Sequence, residues 1–162
     1  MLTAARVREL LHYDQNTGLF HWAVAVCNVA AGSQAGNMSS NGAYQIGVDR
    51  RRYLLHRLAW LWMTGEWPTN QVDHINGIRT DNRWANLRAA TNSQNLANAK
   101  RPKHNKSGFK GASWNKALSR WVAQIHHQNK NIYLGLYDTA EEAHDAYVTA
   151  AKKYHGEFAR AA

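Results

Sequence analysis

The stretch from Val72 to Asn95, V-D-H-I-N-G-I-R-T-D-N-R-W-A-N-L-R-A-A-T-N-S-Q-N, leaves this chain few ways to fold. Val72 to Ile75 has β-forming character, Asn76-Gly77 is a turn dipeptide, and Asn86-Leu87-Arg88-Ala89 can return as a paired strand. Thr91 with Gln94 three residues on is a capping-box pattern, which starts a helix running from Thr91 to about Lys100. The order is strand, loop, strand, helix. Asp73 stands beside His74, and Asn82, Asn86 and Asn95 follow. Asn95 falls just over one turn into the helix, where its amide can point back at the strand bearing Asp73 and His74. Carboxylate and amide oxygens suit a hard divalent cation, and a neutral imidazole accepts a proton near neutral pH. Converging in one small unit, these groups describe a metal-assisted hydrolase.

The distribution of charge narrows the substrate. The chain of 162 residues carries a net charge of +9, and between Asp81 and Asp138 it has no acidic residue at all. Arg83, Arg88, Lys100, Arg101, Lys103, Lys106, Lys110, Lys116, Arg120 and Lys130 fall in that interval, with Trp114, Trp121 and Tyr133 interleaved. Cations alone make a solvated surface as readily as a binding face, but with aromatic residues among them a phosphate backbone is the natural partner. A single cysteine, Cys27, excludes an internal disulfide and a Cys-rich structural zinc site. No stretch is long or apolar enough to span a bilayer, and Arg6, Arg8 and Glu9 interrupt the early apolar run that a signal peptide would need. The expectation is a soluble protein of a reducing cytoplasm, in a bacterium or a phage-infected cell, with no membrane partner.

Upstream, Thr3 caps a short amphipathic helix from Leu2 to Leu11, Tyr13 to Gly18 is a turn, and Leu19 to Trp22 is a strand. Gly32 to Gly42 reads as a loop. Tyr44 to Val48 and Arg52 to Leu55 flank Asp49-Arg50-Arg51 as a hairpin whose Arg50, Arg51 and Arg52 would meet phosphates or water. His56 to Met63 has a buried helical face, ended by Gly65 and Pro68. His56 opens that helix, a place where histidine is ordinarily a hydrogen-bonded core residue and where it could also support the site. Downstream of an extended basic linker, Phe109 to Trp114, Arg120 to His126 and Asn131 to Leu136 read as three strands, and Thr139-Ala140-Glu141-Glu142 caps a helix with Ala143, Tyr147, Ala150, Ala151 and Tyr154 on one face.

Two resemblances attach to these motifs. The D-H-I-N-G, D-N-R-W-A-N-L-R and T-N-S-Q-N segments, with His56-Arg57-Leu58 upstream, resemble the HNH motif of phage and intron-encoded homing endonucleases. The resemblance implies a ββα-metal site in which His74 is the general base and Asp73 and Asn95 hold one Mg²⁺ or Mn²⁺. Asn86 would hold the loop that positions His74, with Asn82 and His56 as further support. Asn95 stands where many members have a second histidine, and an amide ligand favours a harder ion than zinc. The second segment, S-G-F-K-G-A-S-W, R-W-V-A-Q-I, Y-L-G-L-Y-D-T-A-E-E-A and A-Y-V-T-A-A-K-K-Y-H-G-E, resembles the plant ethylene-response-factor or Apetala type of DNA-binding domain. That family reads the major groove with the exposed face of its sheet, which here implies Lys110, Ser113, Trp114, Lys116, Arg120, Trp121, Gln124 and His126. Ser113, Asn115 and His126 replace arginines common in the plant domains, so tight reading of a G-rich site is not expected.

The expected fold is therefore α+β. An HNH region spans residues 1–100 with its ββα core at about 71–100, residues 101–106 link, and 107–162 form a three-stranded antiparallel sheet packed on one helix. Arg101, Lys103 and Lys106, with Lys100, would cross DNA in the linker. The function expected is site-specific cleavage of double-stranded DNA by a monomer or homodimer. The alternative is a DNA-binding transcriptional regulator whose HNH scaffold is inactive.

Overall fold

A computed structural model of the chain describes residues 1–100, 105, 107–128 and 130–160. They fall into two compact units, Met1–Ala90 and Thr91–Ala162. Both are α+β and built from small antiparallel sheets. Arg101, Lys103 and Lys106 lie outside the described residues.

In the first unit Thr3 caps helix α1 (Ala4–Leu10), its side chain accepting from the Arg6 amide. The chain turns directly into β1 (Leu11–Asp14), a strand where the sequence suggested a helix end and a turn. The turn to β2 (Leu19–Trp22) is held by Asp14, whose carboxylate accepts from the Asn16 amide at 2.9 Å and the Thr17 hydroxyl at 2.8 Å. The segment expected as one loop contains two short strands, β3 (Gln34–Ala35) on β2 and β4 (Asn37–Met38) on β5 (Tyr44–Val48). Two-residue strands carry no readable alternation, so only their partners reveal them. Hairpin β5–β6 (Arg51–Leu54) closes through two residues, Asp49 and Arg50, with φ of 47° and 61°. Positive φ at both matches the strand twist and takes Arg51 out of the turn into β6.

Helix α2 (Leu55–Thr64) buries Leu55, Leu58, Ala59 and Leu61 and ends on Gly65, whose left-handed φ of 83° lets its N–H reach the Leu61 carbonyl. With Val7, Leu11, Tyr13 and Phe20 these residues make the core of the unit. Against it lies hairpin β7 (Gln71–His74) and β8 (Leu87–Ala90), in register Val72↔Ala89, Asp73↔Arg88 and His74↔Leu87.

The second unit opens with α3 (Asn92–Ala97), shorter than the helix expected to reach Lys100, with both halves of the Thr91–Gln94 capping box made. Strands β9 (Ala112–Asn115), β10 (Arg120–His127) and β11 (Lys130–Tyr137) form a meander in the order β11-β10-β9, and α4 (Ala140–His155) crosses it. Small residues at the contact, Ala112, Ala123, Ala143, Ala150 and Ala151, bring helix and sheet close. The tightest approach is at Gly111, where a Cβ would stand 2.1 Å from the Tyr147 ring.

Candidate active site and nucleic-acid face

Hairpin β7–β8 and its loop bring Asp73, His74, Asn82 and Asn86 together, each nine-tenths or more buried. Buried polar groups need partners, and these have them. Arg88, the cross-strand partner of Asp73, donates from Nε to the carboxylate oxygen Oδ2 at 3.0 Å, and its Nη2 forms an ion pair with the same oxygen at 2.9 Å. His74 Nε2 lies 3.0 Å from Asn82 Oδ1. An amide oxygen only accepts, so this contact puts the ring proton on Nε2 and the lone pair on Nδ1.

The loop that supplies Asn82 is braced from two sides. Asn86 Nδ2 donates to the Asp81 carbonyl at 2.7 Å and to Asn76 Oδ1 at 3.1 Å, while its own Oδ1 accepts from the Asn76 amide at 3.0 Å. Arg83 and Asn76 both donate to the Asp81 carboxylate, at 2.7 Å from Arg83 Nε and 2.7 Å from Asn76 Nδ2. Arg83 above all holds that carboxyl down to about 2. From the β1–β2 hairpin, the Tyr13 hydroxyl donates to the Asn82 carbonyl at 2.6 Å, and the Gln15 carbonyl accepts from the Trp84 amide at 3.0 Å. Gly18 comes so near that a Cβ would stand 2.4 Å from the Arg83 nitrogen. The polar residues of this bracing hairpin mark its own turn, and nothing in its sequence signals the contact with Asn82.

His56, in the first turn of α2, sets its ring edge-on to His74 at 5.0 Å between centroids. Burial pushes its pKa down to about 3, with the charges of His74, Arg57 and Arg79 adding to the shift, so it stays a neutral imidazole. Asn95 sits on α3 in the second unit, half-buried and one turn past Thr91. Carboxylate and amide oxygens, the side-chain groups of Asp73 and Asn95, are the donor chemistry of hard cations such as Mg²⁺ or Mn²⁺. Among the described residues no three His, Cys, Asp or Glu side chains cluster as a metal site.

In the second unit the strand register decides which side chains share the face away from α4. Ser113 opposes Val122, Asn115 opposes Arg120, Gln124 opposes Tyr133 and His126 opposes Asn131. His126 Nδ1 lies 3.0 Å from Asn131 Oδ1, and Tyr133 is 62% exposed. Asn131 and Tyr133 are additions to the expected face. A bulge between Ala123 and Gln124 shifts β11 by one residue, so alternation read along the strand alone does not find them.

Two tryptophans leave that face. Trp121 packs on the helix side with Ala112, Ala123 and Ala143, and Trp114 opposes it, ring to ring at 5.3 Å. Lys110 also departs: its ammonium donates to the carbonyls of Ala97 and Ala99 at 2.8 Å each and of Arg160 at 3.1 Å. An ammonium has three hydrogens, and all three are used inside the protein. Lys116 is exposed in the β9–β10 turn, and Arg120 is exposed with its Nε on Asp138 at 2.9 Å. Arg50, Arg51, Arg52 and Lys100 are exposed as well.

A family model described as HNH endonuclease matches residues 53–97, and one described as AP2 domain matches residues 107–157. Protein 3.8 of Escherichia phage T7 is 34% identical over 106 residues, covering 65% of this chain and 87% of that protein. An uncharacterised HNH endonuclease of Acanthamoeba polyphaga mimivirus is 35% identical over 119 residues, 72% of this chain and 60% of that protein. A solved structure titled for DNA binding and cleavage by the HNH homing endonuclease I-HmuI aligns over 90% of this chain and 84% of its own, at 18% identity and a TM-score of 0.43. The chain belongs to the HNH endonuclease family, with an AP2-type DNA-binding domain joined to the nuclease region. It is a DNA nuclease.

Proposed function

We propose that the protein is a site-specific endonuclease of the homing type, acting in the cytoplasm of a bacterium or phage-infected cell and hydrolysing one phosphodiester bond per HNH unit. The observation that carries the chemistry is the buried contact between His74 Nε2 and Asn82 Oδ1. With the proton on Nε2, the Nδ1 lone pair takes a proton from water as the water oxygen bonds to phosphorus and the bond from phosphorus to the 3′ oxygen breaks. Asp73 and Asn95 would hold one Mg²⁺ or Mn²⁺. Such an ion, when bound, stabilises the charge that develops on the phosphate and the leaving oxygen. Arg88 orients the Asp73 carboxylate, and Asn86 keeps the loop in shape. His56, neutral and edge-on, limits how the His74 ring can turn.

The AP2-type sheet supplies site choice. Ser113, Asn115, Arg120, Gln124, His126, Asn131 and Tyr133 project together as a polar row, and a two- or three-stranded sheet fits the major groove of double-stranded DNA. Reader and nuclease on one chain raise the local concentration of the active site near its target. One HNH unit cuts one strand, so a monomer nicks and a homodimer cuts both.

The test is cleavage of supercoiled DNA carrying a cognate site with Mg²⁺ or Mn²⁺, beside EDTA and His74→Ala. Cleavage should vanish in EDTA and fall by about 10²-fold or more in His74→Ala, the scale of a lost general base. Tight binding without metal-dependent cleavage would favour a DNA-binding regulator on an inactive HNH scaffold.

A further inference from the structure

Helix α3, which carries Asn95, has six residues. A helix that short is not stable by itself in water, so something must hold both its ends. Its N-terminus is closed by the Thr91 hydroxyl on the Gln94 amide at 3.3 Å and the Gln94 Oε1 on the Thr91 amide at 2.8 Å. Beyond its other end, where helix carbonyls lack intrahelical partners and a cation is favoured, lies Lys110.

Lys110 belongs to the reader, in the S-G-F-K-G segment ahead of β9, and its backbone is fixed there. Asn105 Nδ2 and the Ser107 hydroxyl both donate to the Phe109 carbonyl, at 2.9 Å and 2.8 Å. The Lys110 carbonyl meets His144 Nδ1 of α4 at 2.8 Å. Its side chain runs beside the Tyr147 ring, 6.0 Å from ammonium to centroid. From that anchored position the ammonium reaches the Ala97 and Ala99 carbonyls at the end of α3 and the Arg160 carbonyl beyond α4. Ala97 and Asn98, where α3 ends, are buried.

We infer that Lys110 is a positioning residue of the nuclease: it locks the end of the Asn95 helix onto the AP2-type domain, so the reader folds a piece of the catalytic machinery as well as reading DNA. The functional half of this inference rests on the role proposed above for Asn95; the structural half does not. It also predicts that removing residues 107–162 costs turnover and not only site choice.

The experiment uses the full chain with Lys110→Met, Lys110→Arg and, as a phosphate-contact control, the exposed Lys116→Met. Amide hydrogen exchange is followed over residues 92–99 and over α4, DNA affinity is measured in EDTA, and turnover at saturating DNA in Mg²⁺. In Lys110→Met the α3 amides should exchange about tenfold faster or more, and turnover should fall by a similar factor, as expected for lost hydrogen bonds to a charged donor. Its DNA affinity and α4 protection should stay within about twofold of wild type. Lys110→Arg, which keeps a cationic donor, should recover most of the α3 protection. Lys116→Met should show the reverse, weaker DNA binding with α3 unchanged. Unchanged α3 exchange in Lys110→Met, accompanied by weaker binding and a shallower salt dependence, would make Lys110 a phosphate ligand and overturn the inference. So would α4 loosening as much as α3, since the lysine would then support the whole domain. A wild-type protein that never cleaves would remove the Asn95 role, and the exchange measurements would still decide whether Lys110 holds the helix.

Discussion

Asn82 shows how much a single side chain can decide in a buried site. Its amide oxygen selects which nitrogen of His74 carries the proton, and its carbonyl is fixed by Tyr13 from another hairpin. Asn82→Ala should therefore lower turnover about 10–100-fold with little change in DNA affinity, the range seen when a group that orients a reacting imidazole is removed. Nicking rates at saturating DNA check this. His56 makes a different kind of demand. Its folded pKa of about 3 lies below the ordinary 6.5, so the unfolded chain takes up this proton first as pH falls. Its contribution is fully present above pH 6.5 and is lost as pH falls from 6.5 toward 3. Denaturant melts across that window should show His56→Phe losing stability with a shallower slope than wild type. Gly18 is a third such position: Gly18→Ala puts a Cβ on the Asn82–Arg83 backbone at a φ of 76°, and should cost more than about 1 kcal/mol in the same melts.

The sheet of the AP2-type domain separates residues that composition had grouped. Trp121 and Tyr133 are both aromatic neighbours of cations in sequence, yet β10–β11 pairing puts Trp121 against α4 and Tyr133 on the outer face. Substitution should divide them cleanly. Trp121→Ala should destabilise the domain by roughly 2–3 kcal/mol, less than a fully buried tryptophan would, while Tyr133→Ala should leave the melt unchanged and weaken DNA binding several-fold. Thermal melts and binding titrations on the same two variants decide it. Helix α3 makes a related point. Its capping box is plain from Thr91 and Gln94, but Asn98 ends it before Lys100, and its last carbonyls depend on a lysine thirteen residues beyond Ala97.

For the molecule as a whole, the acid-free interval between Asp81 and Asp138 makes binding a polyelectrolyte problem. If six phosphates are contacted, affinity in EDTA should fall by about 10³-fold between roughly 50 and 200 mM salt, and a nearly flat salt titration would argue against a DNA footprint. The sequence by itself determined the local elements with strong signals: the capping boxes at Thr91 and Thr139, the Asn76-Gly77 turn, the apolar face of α2 and the three strands of the reader. It also carried the resemblance to the HNH family, in the segments D-H-I-N-G, D-N-R-W-A-N-L-R and T-N-S-Q-N. These signals are short-range, and periodicity and capping act within a few residues. The tertiary structure alone decided what depends on partners far along the chain. It revealed β1, β3 and β4, the two-residue turn at Asp49-Arg50, and the Tyr13 and Gly18 brace on Asn82. It set the β9–β10 register that puts Trp114 and Trp121 on the helix side and the bulged β10–β11 register that brings Asn131 and Tyr133 onto the outer face. It also spent the three donors of Lys110 on carbonyls rather than phosphates. A charge or a ring has no fixed use in a sequence; its neighbours in space assign one, and strand register and burial choose those neighbours.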